Sequence, residues 1–332
     1  MTIKRADNKS QPARPLRQVS EPGEFGLIKS FRARCSTALP EILKGIGDDA
    51  AVIRRPAGKT LITTDMMIEG VHFDLSLTAF DELGHKILAV NVSDIFAMGG
   101  TPRYFVLGLG APGNCKLAGI NRLYSGMMKA AKKFNVAVVG GDTCLSKQGL
   151  VLSGTLIGEA DKVVTRSGAR PGDGIFVTGT PGDSAAGLML LRKYAGKKNR
   201  LQSRARQRLI KKHLMPGPEP LRRTAGLTSM IDVSDGLLID LSHICDESGV
   251  GAVVYRDMIP ISGELAAAAK DLGADPFELA LKGGEDYVLL FTAPTNIRTD
   301  AVKIGEITKK GRYLVDRGRK TRFKAEGYEH FK

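Results

Sequence analysis

The chain has 332 residues, of which 42% are apolar, a length and composition typical of a globular protein with two domains of ordinary size. Its apolar stretches are short and interrupted by Gly, Asp or Lys, so none reaches the roughly 18 to 20 residues that a membrane-spanning helix needs. The four cysteines are scattered without a Cys-x-x-Cys pair, and we therefore expect reduced thiols rather than a cysteine metal site.

The formal net charge of +14 is concentrated in three segments. One is the N-terminal segment 1–22, which lacks the apolar stretch of a secretory signal and is expected to be a disordered tail of a cytoplasmic protein. The others are 192–212 and 309–324. We favour a solvated basic surface as the interpretation of these clusters, and binding of nucleic acid or another polyanion is the alternative.

Apolar segments alternate with glycine-rich turns and amphipathic stretches in the first half of the chain, which predicts an α/β domain over 23–160. The long apolar segment 82–100 is expected to be a buried helix that ends at Gly99 and Gly100. In chain order the predicted elements are a helix at 24–34, a strand at 59–65, the helix at 82–100, a strand at 104–110, a helix at 121–134, and strands at 136–142 and 150–159.

The Pro- and Gly-rich segment near 160–172 predicts a boundary, with a second domain over 161–332. The elements predicted there are a strand at 174–179, a helix that begins in TPGDSAAGLMLL, a strand at 229–233, a helix at 234–249, a strand at 251–256 and a closing strand at 285–293.

Acidic residues recur where apolar segments end, and Gly or Ser stands beside most of them. If these carboxylates converge, each like-charged pair about 4 Å apart costs on the order of 4 kcal/mol at an effective dielectric constant of about 20. Bound divalent cations relieve such repulsion, and ligation by oxygen alone favours Mg²⁺ over zinc. For a single acid of this kind, a helix cap or a turn is the simpler interpretation. The acids are Asp48, Asp49, Asp65, Asp94, Asp142, Asp232, Asp235, Glu285 and Asp286.

Magnesium held by carboxylates often binds substrate phosphates, which suggests a nucleotide, yet the chain has no GxxxxGK[ST] loop. ATP is therefore expected to bind through metals, through the glycine-rich turn at 139–143 and through backbone N–H groups at Ser234, with Arg166 as a phosphate contact. His72 is either a substrate contact or a structural histidine. The segment GTPGDSAAG (179–187) is either a phosphate loop or a tight turn.

Several motifs in one order resemble the thiamine-monophosphate kinases, from about Gly23 to the C-terminus. They are GIGDDAAV, TTDMMIEGVHFD, AVNVSDIFAMGGTPRY, VVGGDT, TRSGARPGDGIFVTGTPGDSAAGL, IDVSDGLLIDL and LKGGEDY. The wider superfamily includes aminoimidazole ribonucleotide synthetase and selenophosphate synthetase. The resemblance implies α/β plus α+β domains in a two-domain fold similar to aminoimidazole ribonucleotide synthetase, with the N-terminal sheet forming the interface of a homodimer.

The resemblance also implies roles for individual residues. The implied Mg²⁺ ligands are Asp49, Thr63, Thr64, Asp65, Asp94, Asp142, Asp232 and Asp235. The implied ATP contacts are Tyr124, Gly141, Asp142, Arg166 and Ser234, and the implied substrate contacts are His72, Glu285 and Tyr328. Because neighbouring side chains of an extended segment point to opposite faces, Asp49 is expected to face the metals and Asp48 a backbone N–H group.

The function that the resemblance implies is transfer of a phosphoryl group from ATP to thiamine monophosphate, which gives ADP and thiamine diphosphate. We expect direct in-line transfer assisted by several Mg²⁺ ions, without a covalent intermediate. Two alternatives stay open at this point: another ATP-dependent enzyme of the superfamily, or a basic protein that binds polyanions.

Overall fold

The computed structural model of the chain describes residues 58–197 and 203–328, preceded by residues 31, 34, 35, 40–44, 52 and 53. The tail predicted at 1–22 lies outside the described residues, as do Asp48 and Asp49. Of the helix predicted at 24–34, only Phe31 and Arg34 are described, and both are helical. Two short strands, β1 (Ile42–Lys44) and β2 (Val52–Ile53), pair in antiparallel fashion.

The first large unit is a four-stranded sheet with two helices. The strands follow the order β3-β6-β4-β5, and only β4 and β5 are parallel. All six elements predicted between 59 and 159 are confirmed, and each one is longer or slightly shifted. They are β3 (Lys59–Ile68), α1 (Phe80–Ala97), β4 (Thr101–Ala111), α2 (Leu117–Phe134), β5 (Ala137–Leu145) and β6 (Val151–Ala160).

The second unit is a seven-stranded sheet in the order β13-β12-β9-β11-β7-β10-β8, in which only β9 and β12 are parallel neighbours. Its strands are β7 (Gly174–Val177), β8 (Ser229–Asp232), β9 (Gly251–Tyr255), β10 (Leu289–Ala293), β11 (Val302–Thr308), β12 (Arg312–Asp316) and β13 (Arg319–Arg322). Its helices are α3 (Asp183–Lys193), α4 (Arg204–Leu214), α5 (Leu237–Ser248), α6 (Gly263–Leu272) and α7 (Pro276–Lys282).

The structure adds elements to the second half that the sequence patterns did not predict. Helix α4 begins inside the basic cluster 192–212 and ends just after it, and its buried Leu209, Ile210 and Leu214 keep helical spacing among basic residues. Helices α6 and α7 precede β10, and the strands β11, β12 and β13 follow it, so β10 is not the closing strand. Strand β10 begins at Leu289, which leaves Glu285 and Asp286 in an irregular segment.

Helix α1 links the two sheets through one apolar core. Its fully buried Leu88 belongs to the same cluster as Met230 of β8 and Phe291 of β10. The helix also packs closely against α2, since a Cβ atom at Gly84 would lie 1.9 Å from the carbonyl oxygen of Leu123. The C-terminal turn of α1 is thereby held beside β8. Of the helices in the described part of the chain, none has the length and apolar character needed to span a bilayer.

Side chains of β3 alternate between the two faces of the four-stranded sheet, as in any extended strand. Thr63 and Asp65 face α1 and are partly buried, whereas Ile62, Thr64 and Met66 face away from the helices and are exposed. The residue order Thr63-Thr64-Asp65 therefore places neighbouring predicted ligands on different faces of one sheet.

Candidate active site

Three predicted metal ligands converge where α1, β3 and β8 meet. Asp65 comes from β3, Asp94 from the last turn of α1 and Asp232 from the end of β8. A cavity of about 260 Å³ opens beside them between the two sheets, and Asp94, Asp232, Thr63 and Arg166 contribute to its wall. Residues from four separate segments of the chain thus share one cleft.

Hydroxyl groups hold two of these carboxylates in place. Ser93 Oγ donates a hydrogen bond to Asp232 Oδ2 at 2.6 Å, and Thr63 Oγ1 donates one to Asp94. Asp65 differs, because its Oδ2 atom is buried and accepts no hydrogen bond. A buried carboxylate oxygen without a donor is costly, so this atom calls for a partner from outside the chain.

The pKa values of the three carboxyl groups show that they act on one another. Burial, followed by the charges of Asp94 and Asp232, raises the pKa of Asp65 to about 7. Burial and then the charge of Asp94 raise the pKa of Asp232 to about 7. Burial also raises the pKa of Asp94, against the opposing effects of Thr63 and then of the Arg166 charge. A nearby cation would favour the ionised form of all three groups.

The residues present fit a hard divalent cation. The donor set consists of carboxylate and hydroxyl oxygens, which are the ligands that Mg²⁺ prefers, and one of the carboxylate oxygens is unsatisfied. Within the described residues, no three His, Cys, Asp or Glu side chains already stand in metal-binding geometry. The hydroxyls of Ser93 and Thr63 satisfy Asp232 and Asp94 instead.

The segment that follows β8 is held by a residue that the sequence patterns did not single out. Asp240, in the first turn of α5, accepts hydrogen bonds at 3.1 Å from the backbone N–H groups of Ser234, Asp235 and Gly236 through one oxygen, Oδ2. The backbone N–H group of Ser234, which was expected to contact a phosphate, thus donates to Asp240 in this structure. Burial and then the charge of Asp232 raise the pKa of Asp240 to about 7.

The GGEDY segment runs beside this loop and places Glu285 next to Ser234. The backbone N–H of Glu285 donates to the carbonyl of Ser234 at 2.7 Å, and that of Tyr287 donates to Val233 at 2.9 Å. Glu285 and Tyr287 both have positive φ angles, 63° and 52°, which non-glycine residues seldom adopt. Such backbone strain is found chiefly where the surrounding structure requires it, often at functional sites.

Two further predicted substrate contacts lie near this segment. His72 is partly buried, its Nδ1 atom accepts a hydrogen bond from the backbone N–H of Ile68 at 3.0 Å, and it is close enough to help lower the pKa of Glu285. Tyr328 is 49% exposed, and its backbone N–H donates to the carbonyl of Asp235 at 3.0 Å. His72, Glu285 and Tyr328 therefore border one region with the loop after β8.

The segment GTPGDSAAG forms a tight turn rather than an open phosphate loop. The backbone N–H groups of Gly182 and Ser184, at the N-terminus of α3, donate to the two carboxylate oxygens of Asp286 at 2.6 and 3.0 Å. Gly182 has a φ of 89°, and a Cβ atom at this position would lie 2.6 Å from the backbone of Ala280, so the turn is closely packed. Asp286 thus takes the place that a phosphate would need.

Two predicted metal ligands lie apart from the carboxylate cluster. Thr64 points to the exposed face of the four-stranded sheet, where its hydroxyl donates to the carbonyl of Gly154 at 2.9 Å. Asp142 lies on the same face in β5, opposite Gly108 of β4. Because β3 and β5 form opposite edges of the sheet, three strand spacings of about 4.8 Å separate them. Asp142 and Asp65 therefore do not share a site within one chain.

The predicted nucleotide contacts Gly141 and Tyr124 also lie outside the cleft. Gly141 stands in β5 beside Asp142, and a Cβ there would lie 2.2 Å from the carbonyl oxygen of Leu107. Tyr124 is only 5% exposed on α2, with its ring stacked on Phe31 at 3.8 Å between centroids. The structure brings neither residue to the carboxylate cluster.

A second cavity, of about 720 Å³, lies at the other end of the seven-stranded sheet. None of the predicted site residues lines it, and its wall contains no carboxylate among the described residues. Its basic lining residues are Lys309, Lys310, Arg312, Arg322 and Lys324. The smaller cleft, where the carboxylates meet, is therefore the candidate active site.

Three residues that contact Glu285 or the loop after β8 were not predicted from the sequence: Lys86, His213 and Asp240. Lys86 is 2% exposed within the apolar helix α1, and an internal lysine in an apolar segment is a signal that the sequence does contain. His213 is 6% exposed at the end of α4, directly after the segment 192–212 that composition alone marks as solvated. Asp240 resembles any acid in the first turn of a helix.

Comparison with known families agrees with this architecture. The family model described as AIR synthase related protein, N-terminal domain, matches residues 47–160, and that of the C-terminal domain matches residues 170–316. These matches cover most of the chain. The chain therefore belongs to the AIR synthase related proteins, and the expected combination of an α/β and an α+β domain is confirmed.

Relatives that match nearly the whole chain show which branch of this family it belongs to. The thiamine-monophosphate kinase of Aquifex aeolicus (strain VF5) is 36% identical over 322 residues, which cover 95% of this chain and 100% of the relative. That of Escherichia coli (strain K12) is 35% identical and covers 93% of this chain and 98% of the relative. A solved structure of AaThiL complexed with AMPPCP and TMP is 34% identical, with a TM-score of 0.75 over 96% of this chain and 100% of that chain. The chain thus belongs to the thiamine-monophosphate kinase family.

Proposed function

We propose that the protein transfers the γ-phosphoryl group of ATP to thiamine monophosphate and so produces ADP and thiamine diphosphate. The kinase relatives and the similar structure complexed with AMPPCP, an ATP analogue, and TMP support this activity. In this chain the proposal rests on one observation, the convergence of Asp65, Asp94 and Asp232 beside a cleft that Arg166 borders.

Asp65, Asp94 and Asp232, with the hydroxyl of Thr63, are the residues at this cleft that would hold Mg²⁺, and Asp235, three residues after Asp232, stays a predicted ligand. When bound, Mg²⁺ neutralises phosphate charge and stabilises the charge that develops on the transferred group. Asp49, outside the described residues, stays a predicted ligand of the same set. We propose more than one ion, because the acids outnumber the carboxylates that a single Mg²⁺ usually binds.

The chain needs few other groups for an in-line transfer. The guanidinium of Arg166 would bind phosphate oxygens at the mouth of the cleft, and the hydroxyl of Ser234 would add a hydrogen bond. The acceptor is a phosphate whose second pKa is about 6, so it is already ionised near pH 7 and requires no strong general base. Glu285, His72 and Tyr328 border the region where we propose that the thiamine part of the substrate binds.

We propose a homodimer formed through the exposed face of the four-stranded sheet. Ile62 and Met66 lie on that face with 71% and 53% of their surface exposed, which is unusual for large apolar side chains on a sheet. Thr64 and Asp142 share the face. Because Asp142 is too far from Asp65 within one chain, its predicted roles in binding metal and ATP depend on this second copy.

Binding of polyanions is the weaker alternative. In the segment 192–212, Arg206 pairs with Asp271, Arg208 with Glu264 and Lys212 with the buried Asp183. These pairs neutralise part of the charge that such binding would use. The basic residues around the larger cavity are the one feature of the described residues that favours it. Steeply salt-dependent binding of DNA or RNA would be the expected signature.

The direct test is to incubate purified protein with ATP, Mg²⁺ and thiamine monophosphate and to separate the products by ion-exchange chromatography. We expect thiamine diphosphate and ADP in equal amounts, and none of either when EDTA is present. Release of phosphate without thiamine diphosphate, or no reaction at saturating substrate, would overturn the assignment.

A further inference from the structure

Glu285 is held on both of its carboxylate oxygens by residues from different parts of the fold. Lys86 Nζ, on α1, lies 2.8 Å from Oε1, and His213 Nδ1, on α4, lies 3.2 Å from Oε2. The side chains of Lys86 and His213 are 3% and 8% exposed, whereas that of Glu285 is 31% exposed. The two contacts are therefore enclosed, whereas part of the Glu285 side chain stays accessible.

The charges decide which atoms carry protons. Burial acts to raise the pKa of Glu285, but the opposing effects outweigh it, first among them the charge of Lys86 and with it the hydrogen bond from Lys86, so the pKa lies below its usual value and the group is ionised near pH 7. Burial, and then the charge of Lys86, lower the pKa of His213 to about 4, so its ring is neutral near pH 7. A neutral ring can donate to an ionised carboxylate only if its proton is on Nδ1. The same Nδ1 atom lies 3.1 Å from the hydroxyl of Ser184.

The backbone at Glu285 explains why the side chain needs such support. With a φ of 63°, the segment adopts a conformation that is unfavourable for a residue with a Cβ atom, and contacts must maintain it. Lys86 belongs to the first domain and Glu285 to the second, so their contact also joins the domains. The neighbouring His85 makes a second cross-domain contact, from Nε2 to the carbonyl of Pro216 at 2.7 Å.

Glu285 also borders the carboxylate cluster. The phenol of Tyr287, two residues further on, has its pKa raised first by burial and then by the charges of Glu285, Asp65, Asp232 and Asp94. The enclosed side chain of Tyr287 is thus close to both Glu285 and the carboxylate cluster. The region proposed for the thiamine part and the region proposed for the phosphates are therefore neighbours.

We propose that Lys86 and His213 are positioning residues that fix the Glu285 carboxylate, from the two domains, in the orientation in which it meets thiamine monophosphate. This inference rests on the function proposed above. Neither residue needs to touch the substrate, since each acts through Glu285. Their loss is expected to weaken the binding of thiamine monophosphate and to leave the binding of ATP unchanged.

The test measures kcat and the KM of each substrate for Lys86→Met and Lys86→Arg in the full-length protein. Lys86→Met is expected to raise the KM for thiamine monophosphate at least tenfold and to change the KM for ATP less than twofold, whereas Lys86→Arg restores most of the loss. Glu285→Gln should raise the same KM, and the double variant should be no worse than the more impaired single variant, because both changes remove one contact.

Lys212→Met is the matched control. Lys212 lies on the same helix as His213, but it forms an ion pair with the buried Asp183 of α3 rather than with Glu285. The variant should leave both KM values within twofold of the wild type. If Lys86→Met does not fold, a comparison of His213→Leu with His213→Asn tests the positioning role instead, because the Asn amide can replace the Nδ1 donor. We expect a raised KM for thiamine monophosphate in His213→Leu only.

The outcomes separate the two proposals. An active wild type in which Lys86→Met or His213→Leu keeps its KM for thiamine monophosphate overturns the positioning role alone. Equal increases in both KM values, or additive effects in the double variant, overturn it as well. A wild type that forms no thiamine diphosphate overturns the proposed function, and the positioning role falls with it.

Discussion

Replacement of Asp240 by alanine tests how the loop after β8 is held. The change removes the single oxygen that accepts hydrogen bonds from three backbone N–H groups, those of Ser234, Asp235 and Gly236. At about 1 kcal/mol for each hydrogen bond, the expected destabilisation is roughly 3 kcal/mol. With an unfolding entropy of about 2.1 cal/mol/K per residue, a chain of 332 residues should lose roughly 4 °C in Tm.

The same change should impair catalysis, because the loop carries Ser234 and Asp235 toward the cleft. A displacement of about 1 Å of catalytic groups can cost on the order of a hundredfold in rate, and we expect a loss of this order in kcat/KM. The assays are differential scanning fluorimetry for Tm and a coupled measurement of ADP formation for kcat/KM.

Two comparison variants separate this effect from the general loss of an acid. Asp240→Asn keeps one carbonyl oxygen as an acceptor and should restore most of the stability. Asp246→Ala, on the same helix, removes a side chain that is 66% exposed and paired with Arg312, so its effect should be below about 1 kcal/mol. A Tm and a kcat/KM in Asp240→Ala equal to those of the wild type would refute the reasoning.

Three further outcomes are expected. Asp94→Asn should lower kcat at least about a hundredfold because it removes a proposed metal ligand. The circular dichroism spectrum should stay unchanged, because the substitution also relieves repulsion between the carboxylates. Retained turnover would contradict the metal site. The pKa of His213 is about 4 in the folded state and about 6.5 in the unfolded state, so the free energy of unfolding should fall by up to about 3 kcal/mol as the pH falls from 6.5 to 4. In urea titrations, His213→Asn should make the free energy of unfolding less dependent on pH over this range. An unchanged pH dependence in that variant would contradict the lowered pKa of His213. Ile62→Lys should convert the proposed dimer into a monomer, as measured by light scattering. A dimer in that variant would show that the interface lies elsewhere.

Local patterns were enough to predict the elements of the first half of the chain. The buried helix α1 follows from an apolar segment too long for a strand and ended by Gly99, whose φ is 71°. The strands beside it follow from their short apolar runs. In the second half, α4 was missed because basic residues surround its apolar positions, although Leu209, Ile210 and Leu214 keep the spacing of a helix.

The candidate site was predictable in part. Acids at the ends of apolar segments indicated a cation site, and Asp65, Asp94 and Asp232 do lie together. The order of residues did not reveal that Asp142 lies on the other face of the sheet, because the pairing of distant strands decides that position. It also did not reveal that Asp240 occupies the backbone donors at Ser234.

The sequence by itself determined the family, the segments that fold locally and the acidic composition of the cleft, because these depend on residue type and on spacing within a few turns. The tertiary structure decided which acids meet, which backbone donors are already used, and that Lys86 and His213 reach Glu285 from different domains. Those contacts join residues as far as 199 positions apart in the chain, as with Lys86 and Glu285. Only the packing of α1 between the two sheets brings them within hydrogen-bonding distance.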